Sequence, residues 1–162
     1  VKGRVSVEEQ NIVFKNYQGC FTYRVAAIIL KDNNLLMAKH KDYQCYYTVG
    51  GKVRMNETSE EAIIREVYEE TGIEFQIDKL SFIQERFFKV KGQQHHEVVF
   101  YYLMKDNFDI DLSYRKFTDQ GTKESLHWLP VESLAEADII PEIFKTKLLN
   151  NIVSIEHIIS KE

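Results

Sequence analysis

Residues 51–73 read GKVRMNETSEEAIIREVYEETGI, and this stretch constrains the chain more than any other. Thr58 followed by Ser59, Glu60 and Glu61 is a capping box, in which the Thr58 hydroxyl and the Glu61 carboxylate satisfy orphan amides at a helix start. The pattern predicts a helix from about Thr58 to Thr71, ended by Gly72 in the left-handed conformation. At about 100° of turn per residue, Glu66, Glu69 and Glu70 share one face. Ile63, Ile64 and Val67 form the neighbouring apolar stripe. Ala62, one turn above Glu66, is expected on the acidic side, where its small side chain leaves room for ions and ligand.

Three carboxylates that close repel one another and raise each other's proton affinity unless cations sit among them. Hard oxygen donors on a rigid helix suit Mg²⁺ or Mn²⁺, which use few carboxylates and complete their shells with water and phosphate. A solvated acidic face is the ordinary alternative for a Glu-rich helix. The flanking glycines and Arg65 argue against it here. Gly50 and Gly51 allow a sharp turn and a close backbone approach to a ligand. Gly50, Gly51 and Lys52 do not make a Walker-type phosphate loop, because no Ser or Thr follows the lysine and the upstream glycine spacing is missing.

Taken together, Gly51, Glu57, Arg65, Glu66, Glu69, Glu70 and Gly72, with aliphatics at Val67 and Ile73, resemble the box of the Nudix (MutT-like) hydrolases. At residue frequencies of about 5 to 7%, such a match arises by chance at under about one in a hundred million start positions. The resemblance implies an α/β fold, the Nudix αβα sandwich with a mixed β-sheet and a box loop-helix. It also implies divalent-metal-dependent cleavage of nucleoside diphosphates linked to another moiety. By the same resemblance, the Gly50 carbonyl, Glu66, Glu69 and Glu70 take metal. Arg65 and Glu57 tie loop to helix as an ion pair. Family members commonly carry proline before the double glycine; this chain has Val49.

A chain of 162 residues is the size of one domain with one core, so residues 1–162 are expected to form a single unit. With 44% hydrophobic and 28% charged residues, it has the composition of a soluble globular protein. A net charge of -4 argues against a general nucleic-acid surface, while leaving a free nucleotide brought by metal as a partner. Cys20 and Cys45 are too few for a disulfide framework or zinc site and point to reduced core cysteines in a cytoplasmic protein. The apolar run Val25 to Leu30 is too short to span a membrane, and no signal segment opens the chain. The sequon at Asn56, Glu57 and Thr58 is read as chance.

Outside the box, Phe21 to Leu30 and Asn34 to His40 are expected strands joined by a turn at Lys31, Asp32 and Asn33. Tyr46 to Val49 leads into the glycines. Leu80 to Val90 and His96 to Met104 form a hairpin closed around Lys91, Gly92 and Gln93. Ser125 to Leu129 is another strand, Val131 to Ala135 a helical turn, and Pro141 to Ile159 a C-terminal helix that Asn150 and Asn151 could break. This order fits a sandwich with a helix on each side.

Further candidates complete the site. Glu124, four residues before Trp128, lies where Nudix proteins often place an extra carboxylate. Glu97 opens an apolar strand and needs a partner. His95 and His96 point to opposite faces, so at most one faces a pocket. Arg24, in an apolar strand, is positioned either to clamp a phosphate or to pair with a buried carboxylate. The candidate catalytic set is Glu66, Glu69, Arg65 and Glu124, with Glu66 the first choice of base and Glu124 or Glu97 the alternatives. Arg24, Gly51 and Glu97 are candidates to bind substrate. ADP-ribose and nucleotide sugars lead as substrates. A (deoxy)nucleoside triphosphate, a non-catalytic nucleotide-sensing module and a purely structural acidic helix are the other readings. The resemblance also implies a homodimer, frequent in Nudix domains.

Overall fold

The computed structural model describes residues 10–106 and 124–162. Two sheets meet along one strand run. Strand β1 (Val13–Asn16) pairs with β2 (Gly19–Ile28), after which the chain crosses at Ile29 into β3 (Leu30–Lys31) and β4 (Asn34–His40). The expected single strand Phe21 to Leu30 is therefore split between two sheets. Asp32 and Asn33 make the β3–β4 turn with φ of 48° and 59°, as a tight hairpin of the primed type requires.

Strands β5 (Tyr46–Thr48) and β6 (Gly50–Lys52) precede helix α1 (Ser59–Thr71). β7 (Ile77–Val90) and β8 (Gln93–Met104) then form the long hairpin, turning through Lys91 and Gly92 at φ of 48° and 81°. β9 (Glu124–Pro130) is followed by a 3-10 turn at Val131–Ser133, β10 (Ile139–Ile140), α2 (Phe144–Lys147) and β11 (Glu156–Lys161). One sheet runs β1-β2-β8-β7-β11 with β6 on β2, and the other runs β10-β5-β4-β3 with β9 on β4.

The apolar run in β2 is explained by burial on both faces. Val25, Ala27 and Ile29 pack with Ala62, Ile63 and Val67 of α1, whereas Ala26 and Ile28 pack with Phe82, Tyr101 and Phe144 on the opposite side. Helices thus cover both sides of the sheets, and the α/β sandwich is the observed fold.

Helix α1 forms as its sequence dictates. Thr58 accepts from the Glu61 N–H at 3.1 Å, Glu61 accepts from the Thr58 N–H at 2.8 Å, and Gly72 closes the helix at φ 71°. Two placements differ from the helical-wheel expectation. Ala62 is fully buried in the core rather than beside the carboxylates, and Ile64 is exposed, so the buried stripe is Ala62, Ile63, Val67 and Thr71.

The C-terminal helix expected over Pro141 to Ile159 is not observed. Only Phe144–Lys147 is helical, and Glu156–Lys161 is a strand parallel to β7, with Glu156 opposite Phe82 and Lys161 opposite Phe87. The helix ends at Lys147, short of Asn150 and Asn151, and the β-branched residues that follow suit a strand. The open edge of β7 supplies the partner. Ile158 packs inward while Ile159 stands exposed, the period-2 alternation of an edge strand. Cys20 and Cys45 are half-buried and not joined by a disulfide. Among the described residues, no helix is long and apolar enough to cross a membrane.

Candidate active site

The loop of β5 and β6 and the acidic face of α1 enclose a cleft of about 350 Å³ whose walls include Arg24, Gly50, Gly51, Glu66, Glu69, Glu70 and Glu124. These seven candidates, drawn from four elements, β2, β6, α1 and β9, are brought together. Gly51 permits a close approach: a Cβ there would lie 2.4 Å from the Glu66 carboxylate and displace it. Gly50, at φ 150°, leaves no room for a side chain against the β2 backbone and donates its N–H to Glu70 Oε1 at 2.9 Å.

Arg65 stands behind the cleft rather than in its wall. Its Nε and Nη2 donate to Glu57 at 2.6 and 2.9 Å, Nη1 donates to Glu66 at 2.7 Å and Glu69 at 3.3 Å, and Nη2 also reaches the Lys52 carbonyl at 3.1 Å. The loop is fastened a second time by the Arg54 N–H, which donates to Glu57 at 2.9 Å. Hydrogen bonds from Arg65 hold the Glu57 carboxyl below its usual range, and the same bonds to Glu57 raise the Arg65 guanidinium.

Glu70 behaves oppositely. Most of its surroundings are protein, and this desolvation, with repulsion from Glu66 and Glu124, pushes it up to about 8 against the opposing Gly50 N–H. Glu124 is anchored by the Tyr47 hydroxyl, which donates at 2.5 Å; burial, then Glu124 itself, raises the tyrosine. Tyr47 also joins the cleft wall. It is one of many aromatics in the chain, and composition does not single it out from Tyr46 beside it.

The remaining candidates lie elsewhere. Glu97, buried on β8, does not reach the cleft but lines an adjoining cavity of about 200 Å³ with Arg24. Neither histidine enters the cleft: His95 stacks on Phe88 and His96 on Phe87, with ring centroids 5.1 and 4.3 Å apart.

A divalent cation fits the donors present. Carboxylates from one helix face and from β9 look into one cleft, and Glu70 is held there at a cost that positive charge would remove. Among the described residues, no three such side chains already converge as a ligand cluster. Glu66 is drawn to Arg65 and Glu70 to the Gly50 amide.

The chain belongs to the Nudix family: the model of the NUDIX domain matches residues 21–147. More particularly, it is 46% identical over 52 residues to an ADP-ribose pyrophosphatase of Methanocaldococcus jannaschii, covering 30% of this chain and 31% of that protein. It is also 36% identical over 58 residues to a MutT-like protein of Streptomyces ambofaciens, covering 35% and 38%. The chain thus matches about a third of the length of these curated relatives. Among solved structures, a MutT protein of Bacillus halodurans superposes with a TM-score of 0.61 at 18% identity, covering 86% of this chain and 90% of that one. A MutT Nudix hydrolase of Burkholderia pseudomallei gives 0.57 at 24% identity, covering 69% and 84%. At these identities the likeness is one of fold.

Proposed function

We propose that this chain is a pyrophosphohydrolase acting on a diphosphate linkage in a small nucleotide, with Mg²⁺ or Mn²⁺ as cofactor. The observation that carries the reading is the convergence of Glu66, Glu69, Glu70 and Glu124 with the Gly50–Gly51 loop on one cleft. Gly50 through its carbonyl, with Glu66, Glu69 and Glu70, would hold the cation. When bound, the cation neutralises phosphate charge and makes water acidic enough to attack near neutral pH. Arg24 contributes a guanidinium to the cleft wall and meets the phosphates. Glu66 takes the proton from the attacking water, and Glu124 is the second candidate for that base. Arg65 acts by position: by fastening Glu57, Glu66 and Glu69 together it keeps the carboxylates aligned.

ADP-ribose or a nucleotide sugar is the favoured substrate, supported by the local identity to the ADP-ribose pyrophosphatase. A (deoxy)nucleoside triphosphate is the second reading, supported by the MutT-like relative. An intact acidic set disfavours a sensor without turnover. The chain is read as one domain and placed in the cytoplasm, with no nucleic-acid or membrane partner.

The test is a hydrolysis screen over ADP-ribose, dinucleoside polyphosphates, nucleoside triphosphates and coenzyme A, with Mg²⁺ and with chelator. AMP and ribose 5-phosphate from ADP-ribose, abolished by chelator, is the expected result. Binding of these nucleotides without hydrolysis of any would replace the enzyme with a sensor.

A further inference from the structure

The cavity of about 200 Å³ that adjoins the carboxylate cleft shares Arg24, Tyr47 and Thr48 with it. Past Arg24 the cleft therefore opens onto this second compartment. Glu97 lies in its wall, 8% exposed. Its two oxygens sit 4.0 Å from Arg24 Nη1 and 3.6 Å from Arg86 Nη1. Both separations exceed hydrogen-bonding reach. A buried carboxylate usually fills its acceptor sites. Here the two guanidinium groups supply charge, while the acceptor capacity is left facing the cavity.

The surrounding wall is fixed. Arg86 is held by Glu162 at 3.0 and 2.8 Å, and the Tyr101 hydroxyl donates to Gln84, which in turn donates to Ser160 of β11. Arg24 and Arg86 are balanced by Glu97 and Glu162, so neither an anion nor a cation is the natural occupant. A further phosphate would face the Glu97 carboxylate directly.

We propose that this cavity receives the uncharged portion of the substrate through two neighbouring hydrogen-bond donors that make a two-point contact with Glu97. The shared chemistry has two sources: the N1–H and 2-amino group of guanine, or the vicinal hydroxyls of a ribose. Adenine alone offers no such pair of donors. The proposal rests on the cleft being the diphosphate site, and it names Glu97 as the residue that sets specificity.

Equilibrium binding of nucleoside monophosphates in chelator tests it without relying on turnover. If the guanine edge is read, GMP binds wild type at least roughly tenfold more tightly than IMP, which lacks the 2-amino group. If the diol is read, AMP exceeds 2′-deoxy-AMP by a similar factor. Either ratio should fall to near one in Glu97→Gln, whose amide cannot accept at both positions. Glu97→Asp keeps the charge between the two arginines and withdraws the acceptor, so it should fold and still lose most of the ratio. Ratios near one in wild type, or ratios that survive in Glu97→Asp, overturn the proposal. Undiminished turnover in Glu69→Gln and Glu70→Gln would instead overturn the cleft assignment, which these binding ratios do not measure.

Discussion

Two arginine-carboxylate clusters lie on either side of the cleft, and they are built differently. Arg65 makes five contacts to its own chain between 2.6 and 3.3 Å, on Glu57, Glu66, Glu69 and the Lys52 carbonyl. Glu97 keeps Arg24 and Arg86 at 4.0 and 3.6 Å. A guanidinium whose donors are all taken by the protein can align other groups but cannot bind a ligand. An ion pair held beyond hydrogen-bonding distance neutralises charge and leaves its polar atoms available. The first cluster, which includes Glu66 and Glu69 of α1, is framework, and the second is the one we propose as a recognition surface.

The largest expected effect concerns those carboxylates. Glu69→Gln and Glu70→Gln should each lower turnover by roughly a hundredfold or more, with the fold intact, since each removes charge from the site and not bulk from the core. Near wild-type rates at saturating Mg²⁺ would remove both from the metal assignment. Steady-state kinetics with a parallel melting curve separates the two outcomes.

Next comes the framework cluster. Arg65→Lys loses the planar fork that spans Glu57 and Glu66, and should reduce kcat about tenfold while lowering stability in urea by about 1 to 2 kcal/mol. Loss of activity without loss of stability would mean that Arg65 touches substrate. The recognition cluster should respond the other way. Arg24→Ala should raise KM about tenfold and cost under about 1 kcal/mol of stability, because its pairing with Glu97 is long and one-third exposed. A stability loss equal to that of Arg65→Lys would erase the distinction.

The smallest effect is a pH dependence. In metal-free protein Glu70 binds its proton more tightly folded than unfolded, since burial lifts it from 4.5 to about 8. Its contribution is complete below the unfolded value and is lost as pH rises through about 8. The melting temperature of wild type should thus fall by a few degrees over that window, and Glu70→Gln should flatten the fall. Mg²⁺ should diminish it too, by binding the ionised form. Glu57 works in the acid range: its lowered value means stability is present above the usual carboxylate range and lost as pH falls through its folded value. A wild-type melting curve unchanged between pH 5 and 9 without metal would contradict the account of Glu70.

Much of the site was legible because its signals are local. Thr58 and Glu61 cap α1, Gly72 ends it, and three carboxylates at helical spacing have no choice but to share a face. Ala62 and Ile64 were misplaced because a helical wheel gives angles and not neighbours; Val53 and Tyr102, which help bury Ala62, come from other segments. The C-terminal strand escaped for a related reason. The proline signal at Pro141 is local, but the edge that makes residues 156–161 a strand belongs to β7. Glu97 was noticed as a charge needing a partner, yet Arg86 was not, since their pairing depends on the β7–β8 register.

That C-terminal strand has a consequence for how the chain assembles. Phe82 to Phe87 carry the edge that Glu156 to Lys161 must cover, and β2 pairs in parallel with β8 across a comparably long separation. Sheets closed by such distant partners form slowly, because loop-closure entropy is lost before the contacts reward it. Until β11 docks, β7 offers a bare row of amides and carbonyls beside Phe82, a template for the wrong chain. Glu156 of β11 and Glu162 just beyond its end are then more than surface decoration: pairing with Lys147 and Arg86, they favour the chain's own strand over a stranger's.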